Sequence, residues 1–306
     1  MTGRLKPTVW PPYGRHVSGP LEFYSAQSPL SRFPEQVDSA SLPTDLEGQR
    51  QLVQLLLVHW GWGAAYGIDP DQLRKHEQSL RSVREVVARA VEQTGTPITE
   101  ARSPADRVVG ICRHFALLHV ALLRQTGTPA RMRCGFANYF EPGKWVDHWI
   151  TERWDGIRWV RDDPQVDSFQ ASVIKPDFDV NDQPPGHFLT GSEAWLATRS
   201  DKLDPDVFGI FDMWGPAFIG GNVLLDLACI NKVELLPWDG AWEVLRGPFE
   251  PVSPEAVPLL DELAELVVAD NFDAIRERYE SDDRVRVPNK FTSFLDGIAT
   301  PVELPV

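Results

Sequence analysis

The hydrophobic pattern first becomes periodic at Asp45. In "DLEGQRQLVQLLLVHW" (45–60), Leu46, Leu52, Val53, Leu56 and Leu57 form one stripe at helical spacing. "SVREVVARAVEQTG" (82–95) predicts a second helix, opened by a serine cap and stopped by a glycine. "CRHFALLHVALLRQTG" (112–127) predicts a third, markedly apolar and again ended by glycine. The period then shortens from a helical turn to two. "ARMRCGFANYF" (130–140) alternates as a strand does, and 147–163 predicts two more strands around a turn. Beyond Pro164 comes an irregular stretch, then expected helices at 191–199, 216–231 and 254–269.

Residues 1–44 are rich in proline and polar residues, with a possible strand at "LEFYSA" (21–26). We expect them to be an extension draped on the domain. Helices, then an antiparallel sheet, then more helices predict an α+β fold. The expected division is an N-terminal extension (1–44), a central domain (45–240) and a C-terminal helical extension (241–306).

Composition narrows the partners. With 306 residues, 42% hydrophobic and 24% charged, the chain can bury a continuous core. A formal net charge of -14, from 30 basic and 44 acidic residues, argues against nucleic acid as a partner. Such a field would favour a cationic substrate, but solubility alone is the preferred explanation. The three cysteines, Cys112, Cys134 and Cys229, suggest neither a disulfide framework nor a zinc site. "MTGRLKPTVWPPYGRHV" has no apolar signal region, and no apolar run approaches the ~18 residues of a membrane span. The expectation is a cytoplasmic protein with reduced thiols and no membrane partner, metal or cofactor.

The candidate chemistry begins in the hairpin. If Asp155-Gly156 is a two-residue turn, Trp154 faces Ile157, Glu152 faces Trp159, Ile150 faces Arg161 and His148 faces Asp163. Directly opposed residues have Cβ atoms roughly 4.5 to 5.5 Å apart, so His148 and Asp163 can hydrogen-bond. Asp162 falls opposite Trp149, on the other face. The register also sets Arg153 against Arg158, a like-charged pair. A carboxylate fixes the tautomer of a histidine and stabilises its imidazolium, as a general base requires. A purely structural hydrogen bond would give the same pairing.

Cys112 supplies a candidate nucleophile. It stands where the loop-like "SPADRVVGI" meets the third helix. A thiol in a first helical turn faces the positive end of the macrodipole, which lowers its pKa. Unpaired backbone N–H groups there could hold an oxyanion. The alternative is a small apolar core residue, which suits Cys134 and Cys229 better. His119 shares the Cys112 stripe but lies about 10 Å along the axis. His114 points to another side, so both are expected to be structural.

Cysteine at a helix start, histidine on one strand and aspartate on the next resemble the transglutaminase-like superfamily of papain-type thiol enzymes. The resemblance rests on "GICRHFALLHVALLRQTGTPARMRCGF" (110–136) and "DHWITERWDGIRWVRDDPQ" (147–165), and covers about residues 107–165, roughly a fifth of the chain. In it, Asp-Pro four residues after Trp159 selects Asp163. The flanks "YSAQSPLS" (24–31) and 208–239 look like those of stand-alone bacterial members. No β-sandwich domain or calcium-loop pattern is seen, a departure that sets protein crosslinking in doubt.

The resemblance implies a papain/transglutaminase-like core and cysteine-dependent acyl transfer through a thioester, with Cys112, His148 and Asp163 catalytic. Hydrolysis of an amide or peptide bond is favoured; transfer to an amine in small-molecule biosynthesis is the main rival. No side chain is assigned as oxyanion donor. His59, Trp60 and Trp62 of "HWGWG" are candidates and, with Trp149, are expected to bind substrate. Two other readings stay open. One is a binding module using Trp145, Trp154 and Trp159, which sheet packing also explains. The other is a metal held by Cys112, His148 and Asp163, although no short-spaced ligand pair anchors it.

Overall fold

The computed structural model describes residues 19–245 and 247–304. Residues 1–18 of the expected N-terminal extension lie outside the described residues. In place of the strand proposed at 21–26 the chain forms helix α1 (Pro20–Ser25). Pro20 begins it, where a fixed φ and a missing N–H cost nothing. Phe23 and Tyr24 are buried, and the Tyr24 hydroxyl donates to the Ile230 carbonyl at 2.9 Å.

Asp45 caps α2 (Leu46–Leu56), accepting the Gly48 N–H at 2.8 Å. The helix predicted to Trp60 stops early because β1 (Leu57–His59) pairs in parallel with β2 (Val108–Gly110). A short apolar run is ambiguous by periodicity alone, and here tertiary pairing decides. α3 (Val83–Thr94) has the Ser82/Glu85 capping box and stops at Gly95, whose φ of 69° is left-handed. α4 (Cys112–Gln125) is buried from Cys112 through Arg124.

The main sheet follows: β3 (Ala130–Ala137), β4 (Trp145–Trp154) and β5 (Trp159–Asp162). Next come α5 (Ser168–Ile174), β6 (Phe188–Thr190) and α6 (Gly191–Arg199), the last with the bounds expected. β7 (Phe208–Ile210), β8 (Met213–Trp214) and α7 (Pro216–Ile230) complete this part. The strand order is β6-β3-β4-β7-β8, with β5 also on β4. β5 covers β4 from Thr151 to Trp154, and β7 covers Trp145 and Val146. Between them, residues 147–150 of β4 have no strand along that edge among the described residues.

The hairpin register differs from expectation by two residues. Trp154 pairs with Trp159 and Thr151 with Asp162, leaving a loop at 155–158. Asp155 causes it: its Oδ1 accepts the Ile157 and Arg158 N–H groups, each at 2.8 Å. A shift of two preserves the facing of every side chain. Asp163 therefore stays on the face of His148, and Arg153 meets Val160 in place of Arg158.

Past β9 (Asp239–Gly240) lie α8 (Val257–Val268), α9 (Phe272–Ser281), β10 (Lys290–Ser293) and β11 (Thr300–Glu303). The C-terminal extension is thus not purely helical. β10 pairs with β11 on one side and with β9 on the other, across the expected boundary at 240. One apolar core runs from Leu30 to Leu304. The architecture is α+β. Among the described residues, no helix is long and apolar enough to cross a membrane.

Candidate active site

Cys112 is the first residue of α4, one residue past the Ile111 cap and two past β2. Two groups fix this approach. The Glu77 carboxylate accepts the Val109 N–H at 2.7 Å while Arg74, Arg89 and Gln93 donate to its other oxygen. His114 accepts the Ile111 N–H at Nδ1 (3.2 Å) and donates from Nε2 to the Leu80 carbonyl (2.8 Å). That pair of partners selects the neutral ring, and burial lowers its pKa to about 3. His119 is fully buried with neither ring nitrogen hydrogen-bonded, and burial lowers it to about 4.

The thiol sits in the slot beside β4, where the Arg113 and Trp149 backbone N–H groups reach its sulfur. Trp149 is the residue after His148 on β4. Cys112 is only 6% exposed. Burial pushes its pKa well up, the charges of Asp147 and Asp163 add to this, and the two N–H groups only partly offset it. The expectation of a lowered thiol pKa is therefore overturned: desolvation outweighs the helix N-terminus.

His148 Nε2 lies 2.8 Å from Asp163 Oδ2. Asp163 is fully buried; its Oδ2 also accepts the Tyr139 hydroxyl at 2.8 Å, and its Oδ1 the Gln165 N–H at 3.0 Å. Burial alone would raise its pKa, but the His148 charge and these hydrogen bonds hold the carboxyl below its usual range. With Nε2–H assigned to Asp163 by this partner, Nδ1 keeps its lone pair. The Phe140 ring stands edge-on to the imidazole, centroids 4.7 Å apart.

His59 ends β1, accepts the Gly61 N–H at Nδ1 (3.2 Å), and is lowered to about 3 by desolvation and then by the His148 charge. It is thus a neutral neighbour of the His148–Asp163 pair. Trp60 stacks on it and meets Phe211, centroids 5.8 Å apart. Phe211 is 64% exposed at the β7–β8 turn, with a φ of 55° that a bulky residue rarely adopts. β7 runs parallel to β4 with Gly209 opposite Val146, which sets Phe211 level with His148. β1 runs parallel to β2 with His59 opposite Gly110, which sets Trp60 level with Ile111. The Trp60–Phe211 contact joins the end of β1 to the β7–β8 turn.

Trp62 lies edge-on to Phe169, away from that contact. Trp149 is fully buried, so its ring packs in the core and has no face to offer a substrate, contrary to expectation. Trp145 stacks on Phe208, and Trp154 meets Trp159, on which Arg131 also lies. Those three tryptophans serve packing.

Sequence reasoning missed Tyr139, Gln165 and Asp147. Gln165 was findable, because an aspartate often accepts the N–H two residues on. Tyr139 was not, because the turn after β3 decides its contact. Asp147 precedes His148 but pairs with Phe136. Burial pushes its pKa up to about 7, partly offset by the Asn222 amide and the His148 charge. Among the described residues, no three of His, Cys, Asp and Glu are placed to hold a metal ion.

Cys112 thus heads α4, and His148 on β4 is held by the buried Asp163, on an α+β fold. Residues 69–164, which contain all three, match the model of the transglutaminase-like superfamily. A solved structure from Cytophaga hutchinsonii, described as a proposed cysteine protease, is 20% identical over 44% of this chain and 46% of that one. The chain thus spans under half of that protein's length. With a TM-score of 0.17 the likeness says nothing of reaction or substrate. No curated protein matches the chain.

Proposed function

We propose that this protein is a cysteine-dependent acyl-transfer enzyme that cleaves an amide or peptide bond through a thioester on Cys112. His148 Nδ1 takes the thiol proton, and the sulfur adds to the substrate carbonyl carbon. The unpaired N–H of Cys112, at the head of α4, faces the developing oxyanion. Collapse breaks the C–N bond, and His148 gives its proton to the leaving amine. Water then adds to the thioester with His148 as base, releasing the carboxylic acid and the thiol. Asp163 holds the ring so that Nδ1 faces the sulfur and stabilises the imidazolium.

The observation that carries this reading is the 2.8 Å His148 Nε2–Asp163 Oδ2 contact, which leaves Nδ1 for a thiol beside the next residue's N–H. Transfer of the acyl group to an amine is a second reading, favoured by the dry setting: Cys112 is 6% and His148 2% exposed. Substrate is a peptide or small-molecule amide in either case.

The test is a panel of acyl amides, offered with and without amine acceptors and followed by mass spectrometry. An acyl adduct on the Cys112 peptide, absent in Cys112→Ala, is expected. Amide product with an acceptor present marks transfer. Turnover surviving in Cys112→Ala would overturn both readings.

A further inference from the structure

Asp163 Oδ2 has two donors, His148 and Tyr139, both at 2.8 Å. The tyrosine is itself held. Gln183 Nε2 donates to its hydroxyl at 3.2 Å, and the Gln183 backbone N–H donates to the Arg161 carbonyl at 2.9 Å. The Tyr139 ring contacts Phe140 at 4.7 Å and Phe178 at 5.4 Å between centroids. The Asp163 N–H donates to the Val180 carbonyl at 2.9 Å. The segment following α5 therefore straps both the tyrosine and the aspartate.

We propose that Tyr139 is a positioning residue that acts through Asp163 to set the proton affinity of His148. This rests on the Cys112–His148–Asp163 reading. A carboxylate oxygen shared between two donors is a weaker acceptor for each than one with a single donor. Tyr139 thus draws charge from the oxygen that stabilises the imidazolium, and holds that oxygen where Nε2 can reach it. The direction of donation is fixed, because burial and the adjacent Asp163 charge both keep the phenol protonated. Without the hydroxyl, Asp163 would bind the imidazolium more strongly and His148 would retain its proton to higher pH. The other titratable groups around the pair are His59 from β1, Cys112 and the deeper His119 from α4, and Asp147 beside His148. Tyr139→Phe alters none of them, so a shift would report on the shared oxygen.

The experiment uses full-length Tyr139→Phe and two readouts: iodoacetamide alkylation of Cys112 against pH, which needs no substrate, and the imidazole ¹⁵N shifts of His148. The ¹⁵N titration midpoint should rise by roughly half to one pH unit, the size of one ordinary hydrogen bond. The acidic limb of the alkylation profile should rise with it. Gln183→Ala, which frees the tyrosine without removing it, should give a smaller shift in the same direction and serves should Tyr139→Phe fold poorly. A lower melting temperature with both profiles unmoved would mean a packing role only and overturn the proposal. Alkylation indifferent to His148→Ala would instead overturn the underlying triad reading, so the two failures are distinguishable.

Discussion

Asp162 and Asp163 are adjacent in the chain and serve opposite faces of the sheet. Asp162, fully buried opposite Thr151, takes Arg50 at 2.9 Å and Arg153 at 3.2 Å. Asp163 takes His148 and Tyr139. One clamps α2 to the hairpin, and the other orients an imidazole.

The two asparagine variants should therefore fail in different ways. Asp163→Asn cannot stabilise an imidazolium and should lower kcat on the order of 10²–10⁴-fold with little change in melting temperature. Asp162→Asn leaves the half-buried Arg153 without its counter-charge and Arg50 with only the exposed Glu47. It should cost on the order of 3 kcal/mol of stability, with kcat of the folded fraction near wild type. Urea unfolding beside steady-state kinetics on both variants checks this; equal kcat losses would remove the distinction.

The facing of these aspartates was legible in the sequence because strand alternation survives a register error. The register itself was not, because the Asp155 side chain recruits two loop N–H groups and lengthens the turn. α3 was legible for the same local reason that made it stable, a Ser82 cap and a Gly95 stop. α1 and β1 were not, since Tyr24 bonding Ile230 and Leu57 pairing with Val108 are long-range events. Cys112, His148 and Asp163 could be named from order and spacing. The raised thiol pKa could not, because burial depends on the whole fold.

Trp60, next to His59, meets Phe211 on the β7–β8 turn, and the Cys112 thiol is almost closed off. An aromatic pair is worth about 0.5–1.5 kcal/mol. If this pair holds the slot shut, Phe211→Ala should speed alkylation of Cys112 by about two- to tenfold. Phe211 is exposed, so its loss should barely change global stability. Pseudo-first-order iodoacetamide kinetics, with Cys112→Ala as the blank, gives the ratio. An unchanged rate would mean access runs elsewhere.

Asp147 makes a prediction about stability against pH. It is 8% exposed, and burial lifts its pKa from 3.8 to about 7. A carboxyl raised on folding binds more protons folded than unfolded between those values. Stability is then full at low pH and falls as pH rises through the window. From pH 5 to 8 the loss assigned to this group is about 3 kcal/mol, at 1.36 kcal/mol per unit. Asp147→Asn keeps the shape and cannot ionise, so it should lose that slope and become the more stable protein at pH 8. Other groups titrate in the same range, so the useful quantity is the wild-type minus variant difference, measured by urea unfolding at pH 5 and pH 8. A difference that stays constant between the two pH values would show that Asp147 is already ionised in the folded protein. The thiol would then sit beside a permanent negative charge, and its proton would be still harder for His148 to remove.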